Sequence, residues 1–129
     1  MNKNVRVLLA VVAGWLLYGI VWNLVAFGMS AVFPDTFVIG EPLSDTLVLI
    51  IYLVLSIPVS VLSGFAAARI GLMHAGTAVK ALTIVNLITG IAVQAMAWNL
   101  LPAWWHILFL LFIVPATLYG GRLVSPTSR

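Results

Sequence analysis

The chain has 129 residues, 64% of them hydrophobic and only 7% charged, with a mean hydropathy of +1.21. A soluble domain carries roughly a quarter charged residues, so this composition excludes a protein that covers a water-facing surface, and lipid is the expected solvent. The net charge of +3 does not point to nucleic acid, because the six Lys and Arg are scattered. The absence of cysteine removes disulfides, thiolate metal sites and cysteine nucleophiles.

Four apolar runs follow one another within a single expected transmembrane domain spanning residues 1–129, each near the roughly 20 residues that a crossing needs. The first covers about residues 5–29. Lys3 and Arg6 ahead of it resemble the start of a signal peptide, but the run from Val7 to Met29 is longer than a signal core and no A-x-A site follows. A retained helix is therefore expected. Phe33-Pro34-Asp35 ends it, and a loop continues through Gly40-Glu41-Pro42.

The second helix is expected over about residues 45–68. Ser44 or Asp45 is its N-cap, an acid being favoured at a helix's positive end. Arg69-Ile70-Gly71 closes it with a cation and a glycine. A short loop with Met73, His74 and Gly76 leads into the third helix, about residues 78–101. Pro102 breaks that helix, and the fourth covers about residues 104–120. Backbone groups in hydrocarbon must pair within their own segment, so these runs are helices and the fold class is all-α, a bundle of four transmembrane helices.

Basic residues set the orientation. Lys3 and Arg6 precede the first helix, Arg69 and Lys80 flank the second loop, and Arg122 and Arg129 follow the fourth helix, while the first and third loops hold no Lys or Arg. The positive-inside rule places both termini and the middle loop in the cytoplasm. Asp35, Glu41 and Asp45 then fall outside. Trp98, Trp104 and Trp105 gather at the third loop, as an interfacial aromatic belt would.

An internal repeat is suggested by the tripeptides Trp22-Asn23-Leu24 and Trp98-Asn99-Leu100. It is also suggested by Pro58, Ser60, Ser63 and Gly64 laid on Pro115, Thr117, Gly120 and Gly121. Such a repeat gives two parallel helical hairpins about an axis along the membrane normal; chance matching in an apolar sequence is the competing explanation.

Small residues allow membrane helices to approach closely. Ser56, Ser60, Ser63, Gly64 and Ala67 form such a stripe on the second helix, Gly19, Asn23, Ala26 and Ser30 on the first, and Thr83, Asn86, Gly90 and Ala97 on the third. All are expected to face the bundle interior. Pro58 and Pro115 remove backbone bonds, which Ser60 and Thr117 are placed to compensate.

Between Val7 and Leu118 the charged residues are Asp35, Glu41, Asp45, Arg69 and Lys80, all in loops or at helix ends. The intramembrane acid or base that marks an ion-coupled transporter is missing. Amides stand there instead. Asn23, Asn86, Gln94 and Asn99, with His106, form a candidate polar pocket toward the outer side; interhelical hydrogen bonding explains the same residues more simply. His74 and His106 lie on opposite sides of a roughly 30 Å core, so together they bind no haem or metal, and no cofactor is expected. His106 beside Trp104 and Trp105 is expected at the interface with one end in water. Trp15, Tyr18 and Trp22 share a face suited to packing or to contact with a pigment, quinone or lipid tail.

The stretch Leu101-Pro102-Ala-Trp104-Trp105-His106, with Pro115 and Gly120-Gly121-Arg122-Leu123 after it, resembles a pattern in a family of small, uncharacterised four-helix bacterial inner-membrane proteins. Gly64-Phe-Ala-Ala-Ala-Arg69 resembles that family as well. The resemblance covers about a third of the chain; it implies a bacterial inner membrane and brings no activity with it. The leading functional expectation is a non-enzymatic accessory or structural bundle that self-associates or joins a larger membrane complex. The alternative is a channel or carrier for a small neutral or hydrophobic solute lined by Asn23, Asn86 and Gln94. An enzyme would have to pair His106 with Asp35, Glu41 or Asp45.

Overall fold

The computed structural model describes residues 2–124 and is all-helical, with no strand among the described residues. The α-helices are α1 (Lys3–Val32), α2 (Thr46–Gly71), α3 (Ala75–Met96) and α4 (Ala103–Arg122), with single 3-10 turns at Leu72–His74 and Trp98–Leu100. Three continuous helical segments are long and apolar enough to cross a membrane: Lys3–Val32, Thr46–Met96 and Ala103–Arg122. The middle segment, of 51 residues, passes through the turn at Leu72–His74. It doubles back there, since the Asn86 amide of α3 reaches the Ser63 hydroxyl of α2 at 3.2 Å.

Side-chain caps set two helix starts. Asn2 Oδ1 accepts from the Val5 amide at 2.9 Å, so α1 begins earlier than the apolar run alone suggests. Asp45 Oδ1 accepts from the Val48 amide at 3.1 Å and caps α2. The end of α2 differs from expectation. Gly71 is helical, and the left-handed residue is Leu72, at φ 53°. The glycine serves proximity, because a Cβ there would lie 3.1 Å from the Ala78 methyl. Ala10, Ala67, Ala68, Ala75 and Ala78 fill this end of the bundle. Pro102 turns the chain as expected, but α3 stops earlier, at Met96, and Ala97 leads into the turn Trp98–Leu100.

The most extensive packing joins α2 to α4, two helices that are not consecutive. They run in the same direction. The Trp105 indole donates to the Leu49 carbonyl at 3.0 Å near their starts, and a glycine contact joins them near their ends. A Cβ on Gly64 would lie 2.9 Å from the Thr117 carbonyl carbon, and one on Gly120 would lie 2.8 Å from that of Val61. Both helices continue through their prolines, Pro58 and Pro115. Ser60 donates to the Ser56 carbonyl at 3.0 Å and not to the Val54 carbonyl that Pro58 leaves free, so it does not compensate that proline as expected. Thr117 has no hydrogen-bond partner, so it does not compensate Pro115 as expected.

A second core lies at the other end of the bundle, where Trp105, Phe109, Ile113, Leu49, Tyr52 and Phe37 pack together. Trp105 is fully buried there, a correction to its expected interfacial place. Trp98 and Trp104 are exposed. The two Trp-Asn-Leu tripeptides are not equivalent in structure: Trp22-Asn23-Leu24 lies within α1, whereas Trp98–Leu100 is the 3-10 turn.

Charge divides cleanly between the ends. The Arg6 guanidinium donates to the Ile70 carbonyl at 3.0 Å, bringing the start of α1 to the turn after α2. Lys80 and Arg122 line one small pocket at that same end. At the opposite end the Leu43 amide donates to the Leu100 carbonyl at 2.8 Å, tying together the loops after α1 and α3. Arg129 lies outside the described residues.

A candidate binding cleft between α1 and α3

Helix α1 is the least covered of the helices, burying only Ala10, Gly14 and Met29. Its inner face advances in steps of three or four residues, from Ala10 and Gly14 to Tyr18, Trp22, Val25 and Met29. Of the interior stripe expected at Gly19, Asn23, Ala26 and Ser30, Ala26 does pack against the core, but Gly19 and Asn23 are rotated off it. Asn23 is exposed, and its amide donates to the Gly19 carbonyl of its own helix at 2.7 Å. Gly19 packs against nothing, since a Cβ there would meet no atom within 4 Å. The expected stripe misplaced the face because α1 is apolar all round, and two amphiphilic residues are too few to fix its rotation.

Where α1 diverges from α3 a cleft of about 780 Å³ opens, with Tyr52 of α2 and Phe109 of α4 behind it. This volume lies within the roughly 300–1,000 Å³ range of small-molecule sites. At one end the Trp15 indole donates to the Thr89 hydroxyl at 3.1 Å and bridges the two helices. No charged residue lines it among the described residues.

One wall is aromatic. Trp22 stacks on Tyr52 with centroids 4.5 Å apart and 13° between planes. Tyr52 stacks in turn on Trp105 at 5.3 Å, and Trp105 on Phe109 at 5.1 Å. Such pairs contribute about 0.5–1.5 kcal/mol each beyond their area, so this wall is rigid. Of these rings, Trp22 belongs to the face seen in the sequence. Tyr52 and Phe109 carry no sequence signal beyond being aromatic in apolar helices.

The cleft's deep side is polar. The Asn86 amide nitrogen donates to Ser63, and the Ser63 hydroxyl donates to the Gly14 carbonyl at 2.8 Å. This chain of bonds uses the Asn86 donor and leaves its Oδ1 without a partner, although Asn86 is only 3% exposed. The Tyr18 hydroxyl lies toward Ser60 but does not meet hydrogen-bond geometry, and it too is buried and unpartnered. Leaving such a group unmade costs about 1–3 kcal/mol, so two in one cleft are informative.

Of the residues expected to form a polar pocket, Asn23, Asn86 and Gln94 do line the cleft, Asn23 at its outer rim. His106 stands behind Gln94 and is fully buried, which corrects its expected position at the water interface. Its Nδ1 contacts Gln94 Oε1, its Nε2 lies 3.1 Å from the Trp98 carbonyl, and its ring stacks on Trp98 at 4.6 Å. A neutral imidazole has one N–H, so it cannot donate to two oxygens. Turning the Gln94 amide over resolves this: its nitrogen then donates to Nδ1 while Nε2–H donates to Trp98. Neither ring nitrogen is paired with an acid. Asn99 is exposed in the turn Trp98–Leu100 and lies outside the cleft.

The residues proposed for helix packing behave differently from one another. Ser56, Ser60 and Gly64 are buried in α2, and Gly90 is buried against Ile113 and Leu110 of α4. Gly19 is the exception described above. Gly14 and Gly120, both in close contact, were not among the expected packing residues, Gly120 having entered only through the repeat and the resemblance. No group of three or more potential metal ligands occurs among the described residues. Comparison with known protein families, with curated proteins and with solved structures finds no match for this chain.

Proposed function

We propose that the chain is a non-enzymatic bundle of four membrane crossings that holds one small neutral or hydrophobic molecule in the cleft between α1 and α3. The observation that carries this is the cleft itself: large, uncharged, walled by stacked rings, and ending in buried polar atoms without partners. Of the two functional expectations, it favours the carrier or binding protein over a purely structural element. The gathering of Arg6, Lys80 and Arg122 at one end supports an arrangement with both termini cytoplasmic. The parallel course of α2 and α4 supports two hairpins in like orientation. The membrane, by the resemblance of the fourth helix, is the bacterial inner membrane.

Trp15 and Trp22 line the cleft and report on its contents. In nanodiscs, a brominated alkylbenzene is expected to quench their fluorescence saturably. Gly19→Phe should abolish the saturable component, because Gly19 borders the cleft and has room for a side chain. Quenching that rises linearly with probe, or that Gly19→Phe leaves unchanged, would show simple partition into lipid and defeat the proposal.

The accessory reading rests on a different observation. The outer face of α1 exposes Leu8, Leu16, Ile20, Leu24 and Phe27, a continuous apolar surface for lipid or a second chain. A strictly monomeric particle without associated protein, extracted in native nanodiscs, would end that reading.

A further inference from the structure

The two unpartnered atoms in the cleft restrict what it accepts. Asn86 Oδ1 can only accept a hydrogen bond, while the Tyr18 hydroxyl can donate or accept. Their neighbours on α2 place them close together. Asn86 is bonded to Ser63 and Tyr18 lies toward Ser60. Residues three apart on a helix are about 5–6 Å apart at Cβ. Both residues line the cleft, and both atoms therefore stand over one turn of α2, just behind the cleft's surface. One hydroxyl group placed between them accepts from Tyr18 and donates to Asn86, and satisfies both.

The rest of the cleft sets the remainder of the molecule. Trp22 and Phe109 offer flat apolar surface beside this point, and Ile20 and Leu24 at the rim are 60% and 62% exposed. A tail leaving past them enters lipid directly.

Building on the binding function proposed above, we infer that the ligand is a membrane-soluble alcohol or phenol, bound with its hydroxyl inward between Tyr18 and Asn86 and its tail outward past Ile20 and Leu24. The hydroxyl is recognised as donor and acceptor together. An ether loses the donor, and a hydrocarbon loses both.

The test is displacement of para-nonyl bromobenzene, followed by recovery of tryptophan fluorescence in the full chain in nanodiscs. The competitors are para-nonylphenol, para-nonylanisole and nonylbenzene. With the wild type, the phenol is expected to bind about tenfold more tightly than nonylbenzene, as a pair of neutral hydrogen bonds provides, with the anisole between them. Tyr18→Phe and Asn86→Leu should each shrink the phenol-over-nonylbenzene preference to about threefold or less, and saturable displacement by nonylbenzene itself shows that the variants fold. Equal affinity of phenol, anisole and hydrocarbon for the wild type would overturn hydroxyl recognition and leave the cleft a generic hydrophobe site, its polar atoms met by water. A phenol preference that survives both substitutions would overturn the assignment to Tyr18 and Asn86. Failure of all three competitors to displace the probe would overturn the binding function together with this inference.

Discussion

Replacing Gly64 with alanine tests the α2–α4 contact most directly. The added methyl would stand 2.9 Å from the Thr117 carbonyl carbon and 3.2 Å from its Cα, with the carbonyl oxygen nearer still. Ordinary contact begins at 3.4 Å, and the obstructing atoms are backbone, so no rotamer change relieves them. The helices must move apart by about 1 Å, and a gap of that order forfeits a quarter to a half of each dispersion contact along the seam. With overpacking costing about 1–3 kcal/mol, Gly64→Ala should destabilise by about 2–3 kcal/mol. Gly120→Ala should cost about the same, and the double variant distinctly less than the sum, since one separation accommodates both methyls. Two glycines serve as controls. At Gly90 the nearest atoms are side-chain tips of Ile113 and Leu110, which can shift, so alanine should cost about 1 kcal/mol or less. At Gly19 alanine meets nothing and should be neutral or stabilise by about 0.5–1 kcal/mol. Reversible unfolding in mixed micelles, followed by tryptophan fluorescence, measures all five variants. Gly64→Ala within about 0.5 kcal/mol of Gly19→Ala would refute the close crossing, since surface-like changes stay in that range.

Gln94→Leu should cost about 1–3 kcal/mol in the same assay by leaving His106 Nδ1 buried and unpaired, and adding His106→Phe should restore part of that loss. Trp105→Phe removes the bond to the Leu49 carbonyl while keeping most of the ring packing, and about 1 kcal/mol is expected; a loss as large as the 3–5 kcal/mol of a truncation to alanine would contradict that division. Leu72 holds a positive φ, which costs a branched residue about 1–3 kcal/mol, so Leu72→Gly should raise stability, and an unchanged unfolding midpoint would count against the strain. Because the chain has no cysteine, single substitutions report sidedness cleanly: Asn99→Cys should react with an impermeant thiol reagent from outside the cell, and Met73→Cys only after the inner face is opened. The reverse pattern would invert the orientation.

The helical segments were legible because long apolar runs leave the backbone little alternative to pairing within each run, and the starts of α2 and α4 carry punctuation at Asp45 and Pro102. The small-residue stripe of α2 was legible too, since five small residues on one face is a strong signal. The rotation of α1 was not. With apolar residues on every side, Asn23 looked like an inward residue, yet it satisfies itself on the Gly19 carbonyl and needs no partner helix. His106 and Trp105 follow a proline beside Trp104, which is how an interfacial belt reads. Their burial depends on partners far along the chain, Gln94 and Leu49, that no local pattern announces. The same holds for the polar end of the cleft, where Tyr18, Ser63 and Asn86 come from three helices.

The pairing of α2 with α4 bears on how the protein is made. On the membrane-bundle reading proposed above, synthesis delivers α2 to the bilayer well before α4, yet the groove at Gly64 fits the backbone of the later helix. Until then that groove must be held open against lipid or shielded by an insertion factor. Arrival of α4 is thus the event that locks the assembly, and a nascent chain stopped after α3 should remain protease-sensitive.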